Sequence, residues 1–177
     1  MNFSLTVKIL EEGVHSGEWG GVFPDSFRII RLLLNRLENP ETGEMAPFLY
    51  VDIPEYFKAQ LLELSKIVGD LSLFDGKVGT LKNLSNPDLP DPHYQLLINK
   101  LWKPNLAITG VAGVPTPKDG GNVLRSFTTV KCSIRLPPPV KCDDIRSKII
   151  NLLTTDVPFG AEVKVDDFDE GDGFVTP

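Results

Sequence analysis

Thr129-Val130-Lys131-Cys132-Ser133-Ile134-Arg135-Leu136, followed by Pro137-Pro138-Pro139, decides the fold class. Val130, Cys132, Ile134 and Leu136 point one way, and Thr129, Lys131, Ser133 and Arg135 the other. That alternation marks a strand with one buried and one wet face. The proline run ends it, because proline cannot donate to a strand ladder. The amino-terminal stretch repeats the pattern, with Phe3, Leu5, Val7 and Ile9 alternating with Ser4, Thr6 and Lys8. Leu106, Ile108 and Val111 mark another strand, and Ala161, Val163 and Val165 a fourth.

Two helices belong with these strands. Pro24 and Asp25 suit a helix start, and Phe27, Ile30, Leu34 and Leu37 share one face at helical spacing. Asn39-Pro40 and Thr42-Gly43 stop that helix. Asp143 and Asp144 open a later one, with Ile145, Ile149, Leu152 and Leu153 as its apolar stripe. Residues 41–104 read as an insertion with its own helices, over 54–68 and from His93 to Leu101. Residues 70–92, rich in proline and turn pairs, read as irregular. Without the insertion the order is strand, helix, strand, strand, helix, strand. The expected fold is α+β, a ferredoxin-like split βαβ domain. It pairs a four-stranded antiparallel sheet with two main helices on one face.

Composition narrows the function. The chain has 177 residues, enough for one domain with a real core, and its 41% hydrophobic content is that of a globular protein. Twenty-four acids against 18 bases leave a net charge of -6, which disfavours nucleic acid as a partner. No apolar run is long enough to span a bilayer. Residues 1–12 read as a strand rather than a leader; this favours a cytoplasmic setting but leaves the compartment of a longer parent open. Cys132 falls on the apolar face of its strand and reads as a small buried hydrophobe. Asp166 to Asp172 lacks the spacing of a calcium loop and reads as a solvated turn.

The chemistry-bearing residues are dispersed. His15 sits in a glycine-rich loop, Val14-His15-Ser16-Gly17-Glu18-Trp19-Gly20-Gly21, directly after the first strand. Asn122 follows Gly120-Gly121, and Arg135 lies near the end of the decisive strand. By residue type alone, a lone histidine in such a loop is more often a surface residue than a catalytic one. Arg135 could equally pair with an acid on the sheet face. Trp19 reads as packing on the loop, and His93 as a surface residue at a helix start. Gly17, Gly20 and Gly21 read as backbone devices. No zinc-ligand set and no complete nucleophile triad accompanies these residues.

Four segments, in order, resemble one known domain. They are His15-Ser16-Gly17 with Gly20-Gly21; Gly110-Val111 with Gly113; Asn122-Val123-Leu124; and Ser133-Ile134-Arg135-Leu136-Pro137. Together they resemble the lid, or dimerisation, domain of the di-zinc metallopeptidases. That group includes carnosinases, aminoacylases, carboxypeptidase G and succinyl-diaminopimelate desuccinylase. The insertion and Leu101-Trp102-Lys103-Pro104 resemble the carnosinase-type branch most. Arg125 stands where the family often has proline.

The resemblance implies that residues 1–177 form a single lid domain cut from a larger two-domain hydrolase. Two zinc ions would be held by the missing catalytic domain, with no metal in this chain. The lid would form a homodimer. His15 would reach a second copy's active site and help hold the substrate and its oxyanion. Asn122 and Arg135 would contact a peptide or acyl-amino-acid substrate, with the arginine taking a carboxylate. The alternative is a non-catalytic ferredoxin-like module that dimerises or binds a small ligand.

Overall fold

The computed structural model describes residues 1–68 and 92–174. Its main sheet has four antiparallel strands: β1 (Asn2–Lys8), β3 (Asn105–Ala112), β5 (Phe127–Arg135) and β6 (Glu162–Asp169). Their spatial order is β3-β5-β1-β6. The two central strands, β1 and β5, are those with the strongest alternation. Phe3 lies opposite Cys132, Leu5 opposite Val130 and Val7 opposite Thr128.

Two short strands, β2 (Val14–His15) and β4 (Val123–Leu124), pair apart from the main sheet. The helices are α1 (Ser16–Trp19), α2 (Ser26–Leu37), α3 (Glu55–Val68), α4 (Pro92–Trp102) and α5 (Cys142–Thr154). The two main helices, α2 and α5, cover one face of the sheet. The α+β, ferredoxin-like architecture read from the sequence is the one observed.

The core lies between that face and the helices. Phe3, Leu5, Val7, Cys132 and Ile134 are fully buried against Ile29, Ile30, Leu33, Leu37, Ile149 and Leu153. The α2 stripe is therefore rotated from the expected one. Ile29 and Leu33 are buried, whereas Phe27 is 41% exposed. Apolar residues cover so wide an arc of this helix that spacing alone does not choose its centre. Asp25 caps α2, accepting the Phe27 amide at 2.8 Å. Ser26 Oγ and Thr128 Oγ1, both buried, share a 2.8 Å hydrogen bond that ties the first turn of α2 to β5.

The insertion builds a small core of its own. Leu61 of α3 meets Leu97, Ile98 and Trp102 of α4, with Phe57, Tyr94, Val51 and Ile53 around them. On α3, Leu64 is 38% exposed, whereas Ser65 is buried. Residues 70–91 of the stretch expected to be irregular lie outside the described residues, and Pro92 begins α4.

The acidic tail departs from its reading as a solvated turn. β6 continues to Asp169 through a register shift, where Asp167 has φ 51°. Beyond it, Glu170 accepts two hydrogen bonds from Arg146 of α5, at 2.8 and 2.6 Å. Asp172 accepts the Cys142 amide at 2.9 Å at the start of α5. These acids therefore fasten the carboxyl-terminal segment to a helix.

Candidate functional site

β1 leads into the loop that carries His15. The Ile9 amide donates to the Ser126 carbonyl at 2.8 Å, so the loop after β1 and the segment before β5 leave the sheet side by side. Val14 then pairs with Leu124 and His15 with Val123. The Ser16 amide donates to the Asn122 carbonyl at 2.8 Å. Residues more than a hundred positions apart thus become neighbours. Two-residue strands carry no periodicity, so this pairing left no signal in the sequence.

His15 is exposed, and its Nδ1 accepts the Gly17 amide at 3.1 Å. The loop glycines serve the backbone. Gly21 has φ 85°, which disfavours any side chain, and a Cβ at Gly20 would stand 2.4 Å from the Ser16 carbonyl oxygen. Trp19 packs against Phe23 with ring centroids 5.2 Å apart, yet remains 41% exposed. Asn122 is exposed and meets the histidine loop through its backbone. The Arg125 amide donates to Asp25 at 3.5 Å, which links this loop to the α2 cap.

Arg135 lies elsewhere. It ends β5, in register with Asn105 at the start of β3. Its surroundings are a shallow cleft of about 350 Å³, also lined by Met1, Leu136, Asp172 and Phe174. β5 spans nine residues. At about 3.3 Å per residue, its two ends stand about 26 Å apart. His15 and Asn122 sit beyond one end and Arg135 at the other. The fold brings His15 and Asn122 together and keeps Arg135 away from both.

Zinc does not fit the residues described. No group of three or more His, Cys, Asp or Glu side chains among them is placed to hold a metal ion. Cys132 is fully buried, and burial pushes its thiol up to about 12, away from the thiolate a metal requires. The Asp172 carboxylate is committed to the Cys142 amide and to Lys141, 3.1 Å away. His93, expected on the surface, is partly buried as the second residue of α4.

β3 forms one edge of the main sheet. Ile108 and Val111 on it are 41% and 50% exposed, and the register shifts between Ile108 and Gly110. Among the described residues, no helix is long and apolar enough to cross a membrane.

Solved structures with this architecture include human carnosine dipeptidase 1, with a TM-score of 0.68 at 21% identity. The match covers 93% of this chain and 35% of the dipeptidase. The dipeptidase Dug1p of Saccharomyces cerevisiae matches with a TM-score of 0.63 at 17% identity, over 93% and 34% of the two chains. The chain has the fold of one portion of these peptidases. An M20 family metallo-carboxypeptidase of Sulfolobus solfataricus matches in the same way, with a TM-score of 0.62 at 14% identity, over 93% and 36%. By sequence, the chain is 24% identical over 162 residues to the cysteinylglycine-S-conjugate dipeptidase of Corynebacterium striatum, covering 90% of this chain and 32% of that protein. No family model matches. The chain therefore spans about a third of the length of the relatives it matches.

Proposed function

We propose that this chain is the lid and dimerisation domain of a zinc-dependent dipeptidase or amidohydrolase. It supplies substrate- and oxyanion-binding side chains to a catalytic domain and is inactive alone. The zinc ions would be held by residues outside this chain.

The observation that carries this reading is the separation of His15 from Arg135. A dipeptide cannot touch both ends of a strand about 26 Å long. Two copies solve the problem. β3 offers a sheet edge to a second copy of itself. Under two-fold symmetry the new pair would run antiparallel. The Asn105 end, beside Arg135, would then lie alongside the second copy's Ala112 end, on the His15 side. One site would combine Arg135 of one copy with His15 and Asn122 of the other.

The chemistry suits those residues. A guanidinium grips a carboxylate with two parallel hydrogen bonds, which would anchor the acidic end of a peptide or acyl-amino acid. An imidazole N–H facing the scissile carbonyl would meet the growing oxyanion, a contribution of about 3–4 kcal/mol for a well-placed donor. Closure and dimerisation then become conditions for turnover.

Sedimentation of the 177-residue chain tests the assembly. The expected result is a dimer that Ile108→Asp with Val111→Asp turns into a monomer. A native chain that stays monomeric at high concentration would argue for a module without a shared site. In the parent enzyme, His15→Ala should lower turnover by about one to three orders of magnitude with bound zinc unchanged. Loss of zinc in that variant would overturn the role given to His15.

A further inference from the structure

We infer that Gly17 is a positioning residue that holds His15 with its proton on Nε2, leaving that N–H as the group offered to a ligand. A backbone amide can only donate. Its 3.1 Å bond to Nδ1 therefore requires a lone pair on that nitrogen. In the neutral ring the proton then belongs to Nε2, the nitrogen that does not accept the Gly17 amide. The other tautomer would set two hydrogens against each other.

The identity of residue 17 matters as much as its amide. Gly17 is not among the glycines with positive φ, so backbone strain does not demand glycine there. Space does. A Cβ at residue 17 would stand 2.9 Å from His15 Cε1 and 3.1 Å from Nδ1. Any side chain would push the imidazole off its present position and break the bond that selects the tautomer. The pairing of His15 with Val123, and of the Ser16 amide with the Asn122 carbonyl, holds the backbone on both sides. The ring is thus set by the Gly17 amide, and among the described residues the hydrogen bond to His15 is made at Nδ1 rather than at the outer nitrogen.

The use of that N–H rests on the proposed function, whereas the tautomer itself can be read without a substrate. Proton–nitrogen correlation NMR of the imidazole in the 177-residue chain gives it directly. The expected result is a protonated Nε2 and a bare Nδ1. A proton on Nδ1, or equal populations of both forms, would overturn the inference, and this needs no variant. Gly17→Ala should yield a mixture of tautomers. Unaltered His15 signals in a folded variant would equally count against it.

In the parent enzyme, Gly17→Ala should lower turnover on the order of 10- to 100-fold, the scale of a small misplacement of a reacting group. The same change in a His15→Ala background should cost less than about twofold, since the two act as one unit. Equal losses in both backgrounds would refute a role through His15. If the native chain shows the Nε2–H form but His15→Ala leaves turnover intact, the proposed function fails and the tautomer assignment stands.

Discussion

Arg36 should be among the most costly partly exposed side chains to lose. It projects from α2 and donates to three carbonyl oxygens at the end of α5: Leu152 at 2.9 Å, Thr155 at 2.6 Å and Asp156 at 2.7 Å. The last turn of a helix leaves carbonyls without partners and carries partial negative charge. α5 has no basic residue of its own in that turn, so α2 supplies the cation. The contact to Leu152 is partly buried and the other two are exposed. Counting about 1.5 kcal/mol for the first and about 0.5 kcal/mol for each of the others, Arg36→Ala should cost roughly 2–3 kcal/mol. For a chain of this length, that is a melting-point drop of about 4–12 °C. Arg36→Lys keeps the charge but loses the fork, so it should recover less than half of the loss. Urea unfolding followed by circular dichroism measures both variants. A loss below about 0.5 kcal/mol for the alanine variant, the scale of an ordinary surface change, would refute this reasoning.

Thr128→Val should cost about 1–3 kcal/mol by leaving Ser26 Oγ buried without its partner, whereas the double change with Ser26→Ala should cost clearly less than the two single changes summed; additive losses in denaturant titrations would contradict the pairing. Asp172 is held below its ordinary value of 3.8, first by the Cys142 amide and then by Lys141. A lowered folded value means that its stabilisation is present above pH 3.8 and disappears as the pH falls through the folded value. Asp172→Asn should therefore melt below the native chain at pH 7, and the gap should close as the pH falls below 3.8; a gap that persists at lower pH would show that charge is not the cause.

The central strands were legible because β1 and β5 each bury one face, and alternation reports that burial directly. β6 was harder. Asp166, Asp167 and Asp169 looked like a turn, yet the strand runs on through a bulge, and Lys131 crosses to donate to the Asp167 carbonyl at 3.0 Å. Such a tie comes from β5, two places away in the sheet across β1, and leaves no mark in local composition. Spacing alone places the α2 stripe one step off, since Phe27, Ile29, Ile30, Leu33 and Leu34 offer more apolar surface than the core takes up. In the candidate site, His15, Asn122 and Arg135 could be singled out from short motifs. Which of them meet could not, because the β2–β4 pairing is two residues long and joins distant parts of the chain.

Mixing two inactive parent enzymes tests the shared site most directly. One carries His15→Ala and the other Arg135→Ala. If each site takes its arginine from one copy and its histidine from the other, a mixed dimer holds one intact site and one doubly damaged site. Equal mixing with free subunit exchange should then restore about a quarter of native activity, since half of the dimers are mixed and each has one working site of two. Activity that never rises above that of the separate variants would contradict a site shared between copies.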